Sequence, residues 1–212
     1  MIDPRIEDYI EQHTSPEPEL LYELRRQTYL RTPYPRMLSG PVQGRFLEMI
    51  SRMIKPVTIL EIGTFTGYSA ICLAQGLAGG GVLHTIEANP VFADLAESYF
   101  EKAGLSNRIV LHRGEALSVL PNLDGLFDLV FIDAAKEQYL DYYQMVFDKV
   151  KTGGFILADN TLWDGRVLEN EDVTDPETAG IIRFNRFVNE DERVTNVLLS
   201  VRDGILIIQK IV

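Results

Sequence analysis

Only one cysteine, Cys72, occurs in the 212 residues, so no disulfide can form within the chain. It lies in an apolar run with Ala70, Ile71, Leu73 and Ala74, and reads as an inert buried thiol rather than a nucleophile. No apolar stretch approaches the roughly 20 residues that a membrane-spanning helix needs. The opening Met1-Ile2-Asp3-Pro4-Arg5 lacks the basic start and apolar centre of a signal peptide, which points to a cytoplasmic protein. Positive charge is also scarce: 20 Lys and Arg stand against 31 Asp and Glu, a net charge of −11. Such a surface repels phosphate backbones on average and argues against a nucleic-acid binder. Internal repeats, low-complexity tracts and domain linkers are missing too. The chain therefore reads as one domain, residues 1–212, with a helical amino-terminal extension over 1–55.

Two patterns follow one another along the chain. Ile6, Tyr9 and Ile10 share a face of a first short helix. Ser15-Pro16 offers a cap and a first-turn proline for a second, lined by Leu20, Leu21, Leu24 and Tyr29 and broken at Thr32-Pro33-Tyr34-Pro35. Pro41 opens a third, with Val42, Phe46, Met49, Ile50 and Met53 as its apolar stripe. From residue 57 strands and helices alternate. Strands are expected at 57–62, 82–87, 108–112, 127–132 and 155–158, with helices at 67–77, after Asn89-Pro90, at 137–150 and around 178–190. Val194–Ser200 and Ile205–Lys210 flank Asp203-Gly204, a hairpin signal. The fold class is thus α/β: a Rossmann-like, mostly parallel sheet of seven strands that ends in an antiparallel pair.

The organising stretch is Thr58-Ile59-Leu60-Glu61-Ile62-Gly63-Thr64-Phe65-Thr66-Gly67-Tyr68-Ser69, a buried strand with an interior acid, then a glycine turn into a helix. Such a turn builds a ligand site at the strand's carboxyl end. A dinucleotide fingerprint would need glycines where Phe65 and Tyr68 stand, and Phe65 blocks the approach of a pyrophosphate. Glu87 ends the second strand where an acid can accept hydrogen bonds from ribose hydroxyls. Glu61, Gly63 and Glu87 together fit a nucleoside that carries an amino acid instead of phosphates, and S-adenosylmethionine is that molecule. Asp133, Asp159 and Asn160 stand at the ends of two neighbouring strands. Three hard oxygen donors with no His or Cys suit magnesium, manganese or calcium. Lys136, three residues beyond Asp133, is a base candidate beside that cation.

At these residues the chain resembles the cation-dependent class I O-methyltransferases, the caffeoyl-CoA and catechol O-methyltransferase group. The resemblance rests on Glu61 to Ser69, on Phe127-Asp128-Leu129-Val130-Phe131-Ile132-Asp133-Ala134-Ala135-Lys136, on Gly153 to Gly165 and on Asp203-Gly204-Ile205. It implies metal ligation by Asp133, Asp159 and Asn160, and Lys136 as the catalytic base. It also implies cofactor contacts by Ser39, Glu61, Gly63, Thr64, Ser69, Glu87, Ala116 and Asp133, with Met37 nearby. A homodimer and a catechol-like or caffeoyl-type phenolic acceptor are implied as well. Gln43 and Ala135 stand where the plant caffeoyl-CoA enzymes carry acids. The acidic loop from Asp164 to Glu177, with Glu169, Glu171, Asp172 and Asp175, would not welcome a coenzyme A phosphate tail. Two other readings share these motifs: a methyltransferase of 5-hydroxyuridine in transfer RNA, and a non-catalytic S-adenosylmethionine-binding protein.

Overall fold

The computed structural model describes residues 3–168 and 173–212. Glu169, Glu171 and Asp172 of the acidic loop lie outside the described residues. Seven strands form one sheet: β1 (Thr58–Ile62), β2 (Val82–Glu87), β3 (Ile109–Arg113), β4 (Phe127–Ile132), β5 (Val150–Asp159), β6 (Val194–Leu199) and β7 (Ile205–Lys210). Their order is β3-β2-β1-β4-β5-β7-β6. The first five run parallel, and β7 pairs antiparallel with both β5 and β6. The expected α/β architecture with its closing hairpin is the one found.

Chain direction across the sheet reverses between β1 and β4. From β1 the order steps outward to β2 and β3, and from β4 it steps the other way to β5. Open α/β sheets leave a crevice at such a switch point, beyond the carboxyl ends of the strands. Gly63 follows β1 there, and Asp133 follows β4. The two ends are stitched together, with Asp133 N–H donating to the Ile62 carbonyl at 2.9 Å.

Eight α-helices are described: α1 (Pro4–Gln12), α2 (Glu19–Arg31), α3 (Gly40–Ile54), α4 (Tyr68–Ala74), α5 (Pro90–Lys102), α6 (Ala116–Val119), α7 (Tyr139–Phe147) and α8 (Pro176–Glu190). They cover both faces of the sheet over two apolar clusters. One gathers Leu60, Val130, Tyr139, Tyr143 and Phe184. The other gathers Leu47, Ile59, Leu73, Phe100 and Phe131. Local signals explain several ends. Asn89 caps α5 by accepting from Val91 N–H at 2.9 Å, with Pro90 in the first turn. Among the described residues, no helix is long and apolar enough to cross a membrane.

Three expectations are corrected. Ser15-Pro16 does not start a helix; α2 begins at Glu19, with Pro18 rather than Ser15 at its cap. The stripe expected on α3 is only partly its buried face: Phe46 and Ile50 pack half-buried against the core. Met49 and Met53 are exposed, and Gln43, Gly44, Leu47, Glu48 and Ser51 point inward. Small residues dictate that face. A Cβ on Gly44 would come within 2.6 Å of Tyr68 Cε1, and one on Gly76 within 2.2 Å of the Ser51 backbone. Close approach of α3 and α4 thus outweighs the apolar period. Finally, the helix expected at 137–150 is a 3-10 turn at Lys136–Gln138 followed by α7, and Val150 opens β5, which starts five residues before the expected strand.

The 3-10 turn that carries Lys136 is pinned from outside by α8. A Cβ on Gly180 would meet the Lys136 carbonyl oxygen at 2.5 Å and the Glu137 Cα at 2.6 Å. Both partners are backbone, so neither can swing aside. Gly180→Ala should therefore destabilise the protein by about 1–3 kcal/mol, the usual cost of overpacking. Urea unfolding measures this, and an unchanged midpoint would contradict the packing.

Candidate active site

A cleft of about 1080 Å³ opens at the switch point, lined at one end by Gly63, Phe65, Glu87 and Ala116 and at the other by Asp133, Lys136, Asp159 and Asn160. Aromatic and apolar side chains, among them Tyr34, Met37, Phe92, Tyr142 and Trp163, form its walls. The candidate residues thus fall into two groups facing one space.

At the first end the turn after β1 is held by Glu87. Its Oε2 accepts from Phe65 N–H at 2.7 Å and its Oε1 from Asn89 N–H at 2.8 Å. Phe65 adopts a left-handed backbone, φ 50°, and its ring meets Phe92 edge-on at 4.8 Å. Burial raises the Glu87 carboxyl, partly offset by these backbone donors. The carboxylate, with about four acceptor sites, keeps capacity for a ligand beyond these contacts.

Four residues implied in cofactor contact stand behind this wall rather than on it. Ser39, Glu61, Thr64 and Ser69 are buried and are not among the residues that line the cleft. Glu61 Oε2 accepts from Thr85 Oγ1, which also bonds Thr64 Oγ1, both at 2.5 Å. Among the described residues, no well-formed hydrogen bond reaches the buried Glu61 Oε1. Burial pushes the Glu61 carboxyl up to about 8, against the lowering effect of the Ser69 and Thr85 hydroxyls.

At the other end the acids converge. Lys136 is buried, and its Nζ donates to Asp133 Oδ1 and to Tyr139 Oη, both at 2.8 Å. Asp159 is buried; its Oδ2 accepts from Gln43 Nε2 at 2.7 Å and its Oδ1 from Asn160 N–H at 2.8 Å. Burial, then the charge of Asp133, pushes the Asp159 carboxyl up to about 6. Asn160 holds a left-handed backbone, φ 54°, and lines the cleft beside Asp159.

Strain concentrates here. Phe65, Asn160, Trp163, Asp164 and Arg202 all have positive φ without being glycine, and all but Asp164 line the cleft. Strained backbone persists where surrounding structure over-determines it, which is common at functional sites. Tyr142, Trp163 and Arg202 were not singled out by the sequence reading. Trp163, the chain's single tryptophan, was a usable signal, because it stands three residues past Asn160. Arg202 carried none, since its partners lie about 160 positions away.

The model of the O-methyltransferase family matches residues 11–211. A catechol O-methyltransferase from Niastella koreensis is 36% identical over 170 residues, 78% of this chain and 76% of that one. The caffeoyl-CoA O-methyltransferase of Petroselinum crispum is 33% identical over 206 residues, 92% of this chain and 85% of that one. Among solved structures, the Bacillus cereus O-methyltransferase in complex with S-adenosylhomocysteine superposes with a TM-score of 0.90 at 31% identity, over 97% of each chain. TomG of Streptomyces achromogenes, in complex with S-adenosylmethionine, gives 0.91 at 29% identity over the whole of both chains. The chain belongs to the O-methyltransferase family. It is an S-adenosylmethionine-dependent O-methyltransferase of the caffeoyl-CoA and catechol type.

The donor set at the far end suits a divalent cation. Two carboxylates from adjacent strands face one another closely enough for one to raise the pKa of the other, and an amide oxygen stands beside them. Hard oxygen donors of this kind fit magnesium, manganese or calcium.

Glu61 gives the ligand-free protein a pH signature. An unfolded glutamate titrates near 4.3, and the buried one at about 8. Between these values the folded chain keeps a proton that the unfolded chain has lost, so rising pH favours unfolding. The stabilisation is complete below the unfolded value and is lost as pH climbs through 8. Glu61→Gln removes this dependence. Its melting temperature should gain on the parent's between pH 5 and pH 8, and a constant difference would contradict the burial.

Proposed function

We propose that the cleft binds S-adenosylmethionine at its Gly63–Glu87 end and a divalent cation at Asp133, Asp159 and Asn160, and that the protein methylates a hydroxyl of a catechol-like small molecule. The observation that carries this reading is that both groups of residues line one cleft, joined at the ends of β1 and β4. Residues 1–212 serve as a single methyltransferase domain in this reading, with 1–55 as its helical extension.

Each residue has a definable task. Glu87 has lone pairs to spare for ribose hydroxyls while its backbone contacts hold the turn. Gly63, Thr64 and Ser69 shape the turn and the first turn of α4, and Ala116 and Met37 border the cofactor. Glu61 lies behind Gly63, so a cationic amino group on the cleft side would favour its ionised form. Ser39 precedes α3, where its carbonyl accepts from Arg202. When bound, S-adenosylmethionine supplies a methyl group on a positively charged sulfur, and the cation supplies charge that lowers the pKa of a ligated hydroxyl and orients it.

Lys136 is the group in reach of the acceptor's proton, and Tyr139 Oη and Asp133 hold its Nζ in place. The flat walls contributed by Tyr34, Tyr142 and Trp163 suit an aromatic ring. Positioning two reactants in this enclosed space accounts for much of the expected rate gain. Exposed Ile6, Tyr9, Tyr22 and Leu30 on α1 and α2 supply the apolar surface that a homodimer would cover.

Two outcomes test the reading. Glu87→Gln should weaken S-adenosylmethionine binding about tenfold or more, the cost of losing charge-assisted hydrogen bonds. Calorimetry measures this, and an unchanged affinity would remove Glu87 from the cofactor site. Asp159→Ala should abolish turnover of dihydroxyphenols while S-adenosylmethionine still binds. Activity in the parent that survives a chelator would refute the cation.

A further inference from the structure

We infer that Gln43 and Arg202 form a positioning pair that sets the orientation of the Asp159 carboxylate, linking the β6–β7 turn and α3 to the cation site. The inference rests on the cation reading above and assigns a role to two residues outside the proposed ligand set.

The chemistry of the chain of bonds fixes its direction. A guanidinium only donates, so the Gln43 amide oxygen must face Arg202 Nη1, at 2.7 Å. The amide NH2 is thereby forced toward Asp159, where Nε2 donates to Oδ2 at 2.7 Å. Gln43 is fully buried, with no solvent to substitute for either partner. The Asp159 carboxylate is consequently gripped at both oxygens, by Gln43 at Oδ2 and by the Asn160 N–H at Oδ1. Its rotation is removed before any ligand arrives.

Arg202 is itself over-determined. It sits at φ 49° in the turn between β6 and β7, and its Nη1 also donates to the carbonyls of Leu38 and Ser39. One side chain therefore ties the hairpin turn to the entrance of α3 and, through Gln43, to the end of β5. Methionine at 43 keeps the volume but removes both amide contacts, and methionine at 202 keeps the aliphatic stem but removes the guanidinium. Outer partners of this kind change metal affinity about tenfold to a hundredfold when lost.

The test is manganese binding to the intact protein, followed by electron paramagnetic resonance without methyl donor or acceptor, for the parent, Gln43→Met, Arg202→Met and the double variant. Each single change should weaken manganese binding about tenfold. The double variant should be no more than about twofold weaker than the weaker single, because both changes break one chain. Gln43→Met should leave S-adenosylmethionine affinity within about twofold. Manganese affinity within twofold of the parent in a folded Gln43→Met, or fully additive losses in the double variant, would overturn the pairing. If Gln43→Met does not fold, Arg202→Met decides, being on a partly exposed turn, and unchanged manganese affinity there overturns the pairing. A parent that binds no manganese would overturn the cation reading itself, a result distinguishable from the loss of the pair alone.

Discussion

The whole site depends on how closely Gly63 approaches the backbone of Asp133. A Cβ at Gly63 would lie 2.0 Å from the Asp133 carbonyl oxygen, and Gly63 holds φ 100°. Both facts demand glycine. This contact lets β1 and β4 end side by side at the sheet's switch point. The turn proposed to face the methyl donor and the carboxylate proposed for the acceptor end are then neighbours. Any side chain at 63 would force the strand ends apart and separate the two halves of the site.

Around that contact, polar groups are buried at a cost that packing must offset. Glu61 is buried, and Asp159 is buried facing a second carboxylate. Neither arrangement stabilises the ligand-free protein: burial raises the Glu61 carboxyl to about 8, and at Asp159 burial and the charge of Asp133 outweigh the opposing charge of Lys136. Ligands of positive charge would reverse both penalties, at opposite ends of one cleft. The left-handed backbones at Phe65, Asn160 and Arg202 belong to the same pattern. Local stability is lowered where the geometry of reacting groups has to be fixed in advance.

Local chemistry was legible in the sequence; contacts between distant segments were not. Asn89-Pro90 starts α5, and Asp203-Gly204 closes the final hairpin, because caps and turns depend on adjacent residues. Gly63 and the strand-end acids could be placed because strand order follows from alternation. The buried face of α3 could be read only in part, since Gly44 and Gly76 set it through contacts with other elements while Met49 and Met53 imitate a core stripe. The short helix α6 gave no periodic signal. Glu61 could be recognised as unusual, but not that it would stand behind the cleft wall. The bridge from Gln43 to Arg202 spans 159 positions, and only the folded sheet brings its ends together.

The proposed chemistry requires the ends of β4 and β5 to hold a cation within reach of the methyl donor. Anomalous scattering from manganese in crystals grown with S-adenosylhomocysteine tests it most directly. One strong peak is expected about 2.1 Å, the distance typical of a small hard cation, from side-chain oxygens of Asp133, Asp159 and Asn160. A map with no peak there, or with its strongest peak on other residues, would contradict it.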